Sequence, residues 1–285
     1  MKHLFLYLSL LFLSSCSLNK IVIGFASPIV DGGIVALFHE TDAEFAKDAI
    51  AGQLKLLEGF LINDPENDVL LTHASMGFAA YALGFVEDTN PERAKAFYNR
   101  AKEYGFRVLR QYSDFKANEN GSVEAFEASL QTFDKNDVPA LFWSAISWGL
   151  WINLNMDSPK ALAQLPRVEA MMKRVQVLEP TYFGGGADLF FGVIECVKPA
   201  FIGGDKEKGL KHFETAMKLS ENDFQLTKAF MAQYYAPAVL DEELFDKWAK
   251  EVLNSGETKN PMNNLPNALA KRKIKYLQSQ KDELF

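Results

Sequence analysis

The chain has 285 residues, 48% of them hydrophobic and 24% charged, which is typical of a globular protein rather than a disordered one. Its formal net charge of −7 argues against binding to nucleic acid, which requires clustered Lys and Arg. Aromatic residues make up 13% of the chain, including 23 Phe, and this predicts a large core or a core that surrounds an apolar cavity.

The first residues are typical of a secretory signal. A positively charged start precedes an apolar run at 4–13, which is too short to span a membrane. The next residues, Leu13-Ser14-Ser15-Cys16, resemble the lipobox of bacterial lipoproteins, which implies cleavage before Cys16 and a lipid anchor on its sulfur. The alternative is a plain secretory signal with an incidental cysteine. We favour a lipoprotein signal peptide at 1–15.

The rest of the chain, 16–285, is expected to form a single all-helical domain. Cys196 would then be its only free thiol, so no intrachain disulfide could form, and its apolar neighbours predict a small core residue. The apolar stretch at 18–38 is a poor membrane span because charged residues and Pro28 interrupt it. It is better interpreted as a helix or helix pair that packs on the domain.

Hydrophobic residues recur mostly with a period of 3.6, and hardly any segment alternates with a period of two, so the sequence predicts an all-α fold. Pro, Gly, Asn and Asp signals divide the chain into elements. In order these are a helical segment to about Phe45, two helical units at 48–112, a polar insertion at 113–122, a bridging helix at 124–133, a tryptophan-rich helix at 139–154, two more units at 159–219, and final helices at 222–235, 241–253 and 266–280.

Four segments share the residue spacing of a tetratricopeptide repeat. The second helix of that repeat follows the pattern A-x3-F-x2-A-x4-P, in which small residues let helices approach closely and the aromatic ring fills the gap between repeats. The matches are Gln53/Leu57/Phe60/Pro65, Ala94/Tyr98/Ala101, Val168/Met172/Val175/Pro180 and Gly209/Phe213/Ala216.

The four matches form two sets related by a constant offset of 115 residues. At this offset Pro65 aligns with Pro180 and Gly77 aligns with Gly192. Chance agreement among helical residues is the alternative, but the matches fall at structurally meaningful positions and favour a duplication. We therefore expect a tetratricopeptide-like helical superhelix with about four cryptic repeats and extra flanking helices.

Two aromatic-rich motifs lie in the middle of the chain. The first is Pro139-Ala140-Leu141-Phe142-Trp143-Ser144-Ala145, which continues with Trp148-Gly149 and Trp151-Ile152. The second is Pro180-Thr181-Tyr182-Phe183-Gly184-Gly185, which is followed by Gly192. Together they resemble the TatT family, the tetratricopeptide lipoprotein component associated with TRAP-type transporters, over nearly the whole mature chain. The resemblance implies a periplasmic lipoprotein that works with a TRAP-type solute-binding protein. It also implies a helical superhelix with an apolar cleft or pore, and assembly as a homotrimer.

The sequence contains no recognisable catalytic or metal-binding motif. His39, His73 and His212 lack metal-ligand spacing, and neither a G-x-S-x-G elbow nor a phosphate-binding loop occurs. The cluster around His39 and Asp42 is expected to cap a helix, and the glycines at 184–186 are expected to allow close helix packing. We predict no enzyme activity, no cofactor and no metal.

The density of aromatic residues between 143 and 191 predicts a ligand pocket. Ordinary core packing is the alternative for any single ring, but so many large rings are hard to pack without leaving space. We expect the pocket to be lined from the group Trp143, Trp151, Tyr182, Phe183 and Phe190. Its few polar groups would be the Tyr182 hydroxyl and the indole nitrogens, and its ligand a hydrophobic small molecule or lipid.

Three functions are weighed on this basis. The favoured one is a non-catalytic T component that docks a solute-binding protein and binds or passes an apolar ligand. The alternative is a tetratricopeptide lipoprotein scaffold for outer-membrane protein or envelope assembly, which should have an open, polar groove. A lipid hydrolase would need a nucleophile and a base that the sequence does not display.

Two further features bear on location. The protein would be lipid-anchored and face the periplasm, and Ser17 in place of an Asp after the lipidated cysteine slightly favours the outer membrane. The basic run Lys271, Arg272, Lys273 and Lys275 is interpreted as a solvated helix face, with contact to anionic lipid as the alternative.

Overall fold

The computed structural model of the protein describes residues 28–285, and all regular secondary structure among them is helical, which confirms the all-α prediction. The signal peptide and Cys16 lie outside the described residues. In chain order the helices are α1 (Pro28–Phe38), α2 (Ala43–Asn63), α3 (Asp68–Tyr81), α4 (Pro91–Leu109), α5 (Ser113–Asn118), α6 (Val123–Ser129), α7 (Val138–Asn153), α8 (Pro159–Leu162), α9 (Leu165–Leu178), α10 (Tyr182–Val197), α11 (Lys206–Leu219), α12 (Leu226–Phe230), α13 (Ala236–Ala238), α14 (Glu242–Leu253), α15 (Asn264–Ser279) and α16 (Lys281–Leu284).

Short polar side chains begin most of the long helices. The Asp42 carboxylate accepts hydrogen bonds from the first backbone N–H groups of α2, as predicted for the cluster around His39. Asn90 caps α4 ahead of Pro91, and Asp205 caps α11. These local signals explain why the predicted boundaries of the helices agree well with the structure.

Two helices continue into a π-helical turn, α3 at Ala82–Val86 and α12 at Met231–Tyr235. The continuous helix Asp68–Val86 is long and apolar enough to cross a membrane. However, 56% of its most apolar window is buried inside the protein, so it is accounted for as a helix of the core.

The segment 113–122, predicted as a polar insertion, instead begins with the short helix α5. Its single aromatic residue, Phe115, is fully buried and packs edge-on against Phe106 of α4. Phe126 of α6 lies next to the same ring. One large apolar side chain among polar neighbours is therefore enough to fold this segment onto the core.

Helix α7 is the central element of the fold and is buried on nearly every side. It packs on α3, α4, α9 and α10. The approach of α3, α4 and α7 is close at Gly105, where a β-carbon would collide with the hydroxyls of Ser144 and Ser75. Small residues thus set the spacing between these helices.

Four inner helices, α3, α7, α10 and α15, run in the same direction. Ser75 of α3 and Ser144 of α7 both lie against Gly105, and Val86 and Leu154 meet in one cluster further along, so α7 runs parallel to α3. Phe142 lies against Gly186 and Phe190 lies against Gly149, so α10 runs parallel to α7. Leu269 packs on Gly84, and one turn further on Lys273 pairs with Asp88, so α15 also runs parallel to α3. The four helices therefore form neighbouring walls around a common interior.

The predicted offset of 115 residues agrees with the start of α11 and approximately with that of α10. Shifting the first residue of α4 by 115 gives 206, where α11 begins, and shifting that of α3 gives 183, which lies in the turn that precedes regular helical geometry in α10. The prediction that helices cross closely at Gly77 and Gly192 is confirmed, because a β-carbon there would lie 2.7 Å from Leu54 and 2.8 Å from Phe213. The full tetratricopeptide-like superhelix stays a prediction.

The C-terminal helix α15 returns to the beginning of the described chain. The Asn264 side chain donates a hydrogen bond of 3.0 Å to the His39 carbonyl, and Arg272 pairs with Glu44 of α2. One buried core cluster extends mainly from α2 to α10 and a second from α10 to α15. The last long helix thus closes the fold against the first ones.

Candidate functional site

An apolar cavity of about 140 Å³ lies where the two core clusters meet. A cavity that holds a single water has a volume of roughly 10–15 Å³, so this cavity is large enough for a chain-like ligand. Side chains from the four inner helices line it, together with residues of α1, α2 and α12. Because Phe142 and Asn153 are its first and last lining residues on α7, the cavity extends for about 16 Å in that direction.

The end of the cavity near the beginning of α7 and α10 is aromatic. The Phe183 ring packs edge-on against Trp143 at 4.9 Å between centroids and against Phe224 at 5.2 Å. Phe38 of α1 approaches the same ring from another side, at 6.3 Å. Phe183 therefore lies at the centre of a ring cluster that closes this end of the cavity.

An unusual backbone conformation directs the Phe183 side chain. Phe183, Gly184 and Gly185 are all left-handed, with φ of 48°, 66° and 79°, and regular helical geometry in α10 begins after them. A β-carbon at Gly184 would lie 2.6 Å from the Phe224 ring. The glycines are required both for the left-handed turn and for close packing, as the sequence predicted for 184–186.

The five residues expected from the sequence to line a pocket occupy different positions. Trp143, Phe183 and Phe190 line the cavity. Tyr182 lies behind Trp143 and accepts a hydrogen bond of 3.1 Å from its Nε1, and burial raises the pKa of the Tyr182 hydroxyl to about 12. Trp151 packs in a separate small cluster with Tyr98, outside the lining. A role of these residues in ligand binding stays a prediction.

The polar groups of the cavity are not those expected from the sequence. The Trp143 indole nitrogen is already bonded to Tyr182, and the indole nitrogen of Trp148 donates to Gln164. Polar side chains instead collect at the end opposite the aromatic cluster, where α7, α15 and the segments after the π-helical turns of α3 and α12 come together. They are Asp88, Asn153, Tyr234 and Lys273.

Lys273 and Asp88 form an ion pair within this polar end. The Lys273 side chain is 6% exposed and that of Asp88 is 19% exposed. Behind the pair, burial raises the pKa of the Glu87 carboxyl, which accepts a hydrogen bond from Tyr98. Burial also raises the pKa of the Tyr234 hydroxyl, so this group stays protonated and can donate.

The interpretation of the basic run as a solvated helix face is wrong for one of its members. Lys273 is buried and points away from the solvent side of α15, because it lies on the same inward face of the helix as the apolar residues Leu265, Leu269 and Ile274. Arg272 and Lys271 face an open polar cleft beside the cavity. Asp88 is the residue that the cavity and this cleft share.

Two further polar side chains line the cavity, Gln53 of α2 and His73 of α3. The His73 Nε2 lies 3.5 Å from an Asp31 carboxylate oxygen, and its Nδ1 is buried without a hydrogen-bond partner among the described residues. Burial lowers the pKa of the imidazole, and the Asp31 charge opposes this shift. The ring therefore offers the cavity a neutral nitrogen.

Within residues 28–285 no group of three or more His, Cys, Asp or Glu side chains is arranged to hold a metal ion. His212 and Gln176 share the buried Asp188 carboxylate, at 2.8 Å and 2.9 Å, away from the cavity. This arrangement satisfies a buried charge. The fold and the cavity thus define an all-helical protein with an elongated apolar interior that ends in a buried ion pair.

A sequence profile of the family described as TRAP transporter T-component (TAtT) matches residues 39–285. The chain belongs to this family, as its aromatic motifs indicated. Membership makes it a component associated with a TRAP transport system, and so with the cell envelope. No curated protein matches the sequence.

Proposed function

We propose that this protein is a non-catalytic T component that binds or passes an apolar ligand and docks a TRAP-type solute-binding protein in the periplasm. The observation that carries the proposal is the elongated apolar cavity between the inner helices. Ligand pockets in proteins are mostly apolar, with a few placed polar groups, and this cavity has that composition.

The alternative of an envelope-assembly scaffold fits the described residues less well. Such a protein should offer an open, polar groove in which an extended peptide could form backbone hydrogen bonds. The cavity here is apolar, and the rings around Phe183 close one of its ends. A lipid of limited length suits it better than a peptide.

A blocked cavity provides the direct test of ligand binding. Ala80 lines the cavity, and an Ala80→Phe side chain would fill part of it. Ala51→Phe on the exposed face of α2 is the matched control. Native mass spectrometry and tryptophan fluorescence with a panel of lipids should detect binding to the wild type and to Ala51→Phe but not to Ala80→Phe. Equal binding to both variants would contradict the proposal.

The anchor and the partner need tests of their own. The lipobox-like residues before Cys16 support a lipid anchor that faces the periplasm, with the outer membrane slightly favoured. A Cys16→Ser variant should leave the membrane fraction, and unchanged membrane association would refute the anchor. Docking and a homotrimer should appear in light scattering of the purified protein, alone and mixed with a TRAP-type solute-binding protein from the same organism. A monomer that does not bind that protein would exclude both.

A further inference from the structure

The polar end of the cavity indicates which class of apolar ligand the protein takes. We propose that the ligand is an amphiphile whose head group is uncharged and both donates and accepts hydrogen bonds, such as an alcohol or a primary amide, and that this head binds at Lys273 and Asp88. The inference rests on the proposed binding function and makes the ligand class specific.

The first reason is geometric. The cavity is apolar along α7 from Phe142 until it reaches Asn153, and there the four polar side chains gather from four different elements. An extended hydrocarbon chain that fills the apolar length would therefore place its terminal group among them. Gln53 and His73 are the other polar side chains of the lining, so the group of four is the largest polar cluster of the cavity. The rings around Phe183 occupy the other end, and this favours the orientation with the head group at Lys273 and Asp88.

The second reason is the supply of hydrogen bonds. An ammonium group has three N–H donors, and among residues 28–285 Asp88 is the only hydrogen-bond partner of Lys273. The Tyr234 hydroxyl, with the Asn153 side chain within hydrogen-bonding reach, adds a further donor. The Asp88 carboxylate has a second oxygen that can accept. A head group that both donates and accepts satisfies this mixture.

The third reason is charge balance. Lys273 and Asp88 are the two oppositely charged side chains that line the cavity, and they neutralise each other. Burial raises the pKa of the Glu87 carboxyl behind them, which favours its neutral form. A carboxylate head would lie beside the Asp88 charge, and an ammonium head would lie beside Lys273. Of the other cations of the cleft, Arg272 pairs with Glu44, Lys271 donates to the Ser255 carbonyl at 2.8 Å, and Lys275 is exposed to solvent. An unpaired buried charge is costly, so the neutral pair selects against both kinds of ion.

The test compares probes that share one chain length and differ only in the head. Decan-1-ol, decanamide, decane, sodium decanoate and decyltrimethylammonium are titrated into the protein at pH 8, with tryptophan fluorescence and native mass spectrometry as readouts. The alcohol and the amide should bind at least about tenfold more tightly than the other three probes. Equal or tighter binding of decane or decanoate would overturn the proposal.

Variants of the ion pair separate this inference from the binding function itself. Lys273→Met with Asp88→Leu should retain decane binding and lose the preference for the alcohol, whereas the control pair Lys281→Met with Asp246→Leu, an exposed ion pair of 2.8 Å, should retain that preference. Asp88→Asn leaves the lysine uncompensated and should shift the preference to decanoate.

The outcomes are distinguishable. If the wild type binds none of the probes, the proposed function fails and this inference fails with it. If the wild type binds decane as tightly as the alcohol, the binding function stands and the head-group site is wrong. If the double variant at Lys273 and Asp88 does not fold, an unchanged preference in Asp88→Asn would still refute the head-group site.

Discussion

Gly192 of α10 lies directly against the ring of Phe213 on α11: a β-carbon at Gly192 would come within 2.8 to 2.9 Å of three ring carbons. Phe213 is fully buried, so its ring has no free space to move into. The two residues therefore fix how closely α10 and α11, the most extensively packed helix pair, approach each other.

A Gly192→Leu substitution should destabilise the protein by roughly 1–3 kcal/mol, because the added side chain overpacks a closed contact. Urea unfolding followed by circular dichroism measures the loss. Gly52→Leu is the control, since Gly52 lies on the exposed face of α2 with nothing within 4 Å of its β-carbon position. That variant should be neutral or slightly stabilised. Equal losses in both would contradict the close contact of α10 and α11.

The left-handed turn at the start of α10 predicts a second pair of outcomes. Gly185 and Gly203 both have positive φ, 79° and 92°, but only Gly185 is crowded, since a β-carbon there would lie 3.0 Å from the Ala216 main chain. Gly203→Ala should cost about 1 kcal/mol for the backbone alone. Gly185→Ala should cost at least about 2 kcal/mol, because overpacking adds to the same backbone strain. Thermal melts of both variants test this, and equal costs would refute it.

Cys196 should react slowly with thiol reagents. Burial raises the pKa of its thiol to about 11, with a smaller contribution from Glu195, so little thiolate exists at pH 8. In a Cys16→Ser background the folded protein should react more than about a hundredfold more slowly than in denaturant, and the rate should increase as the pH is raised toward 10. A rate equal to that of free cysteine would show that the thiol is accessible.

His73 should make the protein less stable in mild acid. Burial holds the pKa of its imidazole below the ordinary value of 6.5, so below about pH 6.5 the unfolded chain binds more protons than the folded one and stability falls as the pH falls. His73→Gln should remove part of the loss in unfolding free energy between pH 7.5 and pH 5. His39→Gln, at an exposed position, is the control. An undiminished loss in His73→Gln would contradict this role.

Much of the fold could be predicted from the sequence because the residues that begin and end its helices are local signals. Caps such as Asn90 before Pro91 and Asp205 mark helix ends within a few residues, and the apolar periodicity supplies the rest. The aromatic end of the cavity was accessible for a similar reason, since α7 and α10 are neighbours and bring Trp143 and Phe183 together.

Two parts of the site could not be obtained in this way. Residues eight positions apart on a helix differ by about 80° in direction, and this difference places Trp151 on another face of α7 from Trp143. Lys273 and Asp88 are 185 residues apart in the chain, and no local pattern pairs them. The one available signal was that Lys273 continues the apolar stripe of Leu265 and Leu269, which marks an inward position.

The return of α15 to α2 and α3 makes the cavity depend on residues that are far apart in the chain. Leu265, Pro266, Leu269 and Lys273 form one wall of the cavity, and they belong to the last long helix of the chain. Without this helix the walls from α3, α7 and α10 would border an open trough. A chain truncated before α15 would therefore lose both one apolar wall and the lysine of the buried ion pair.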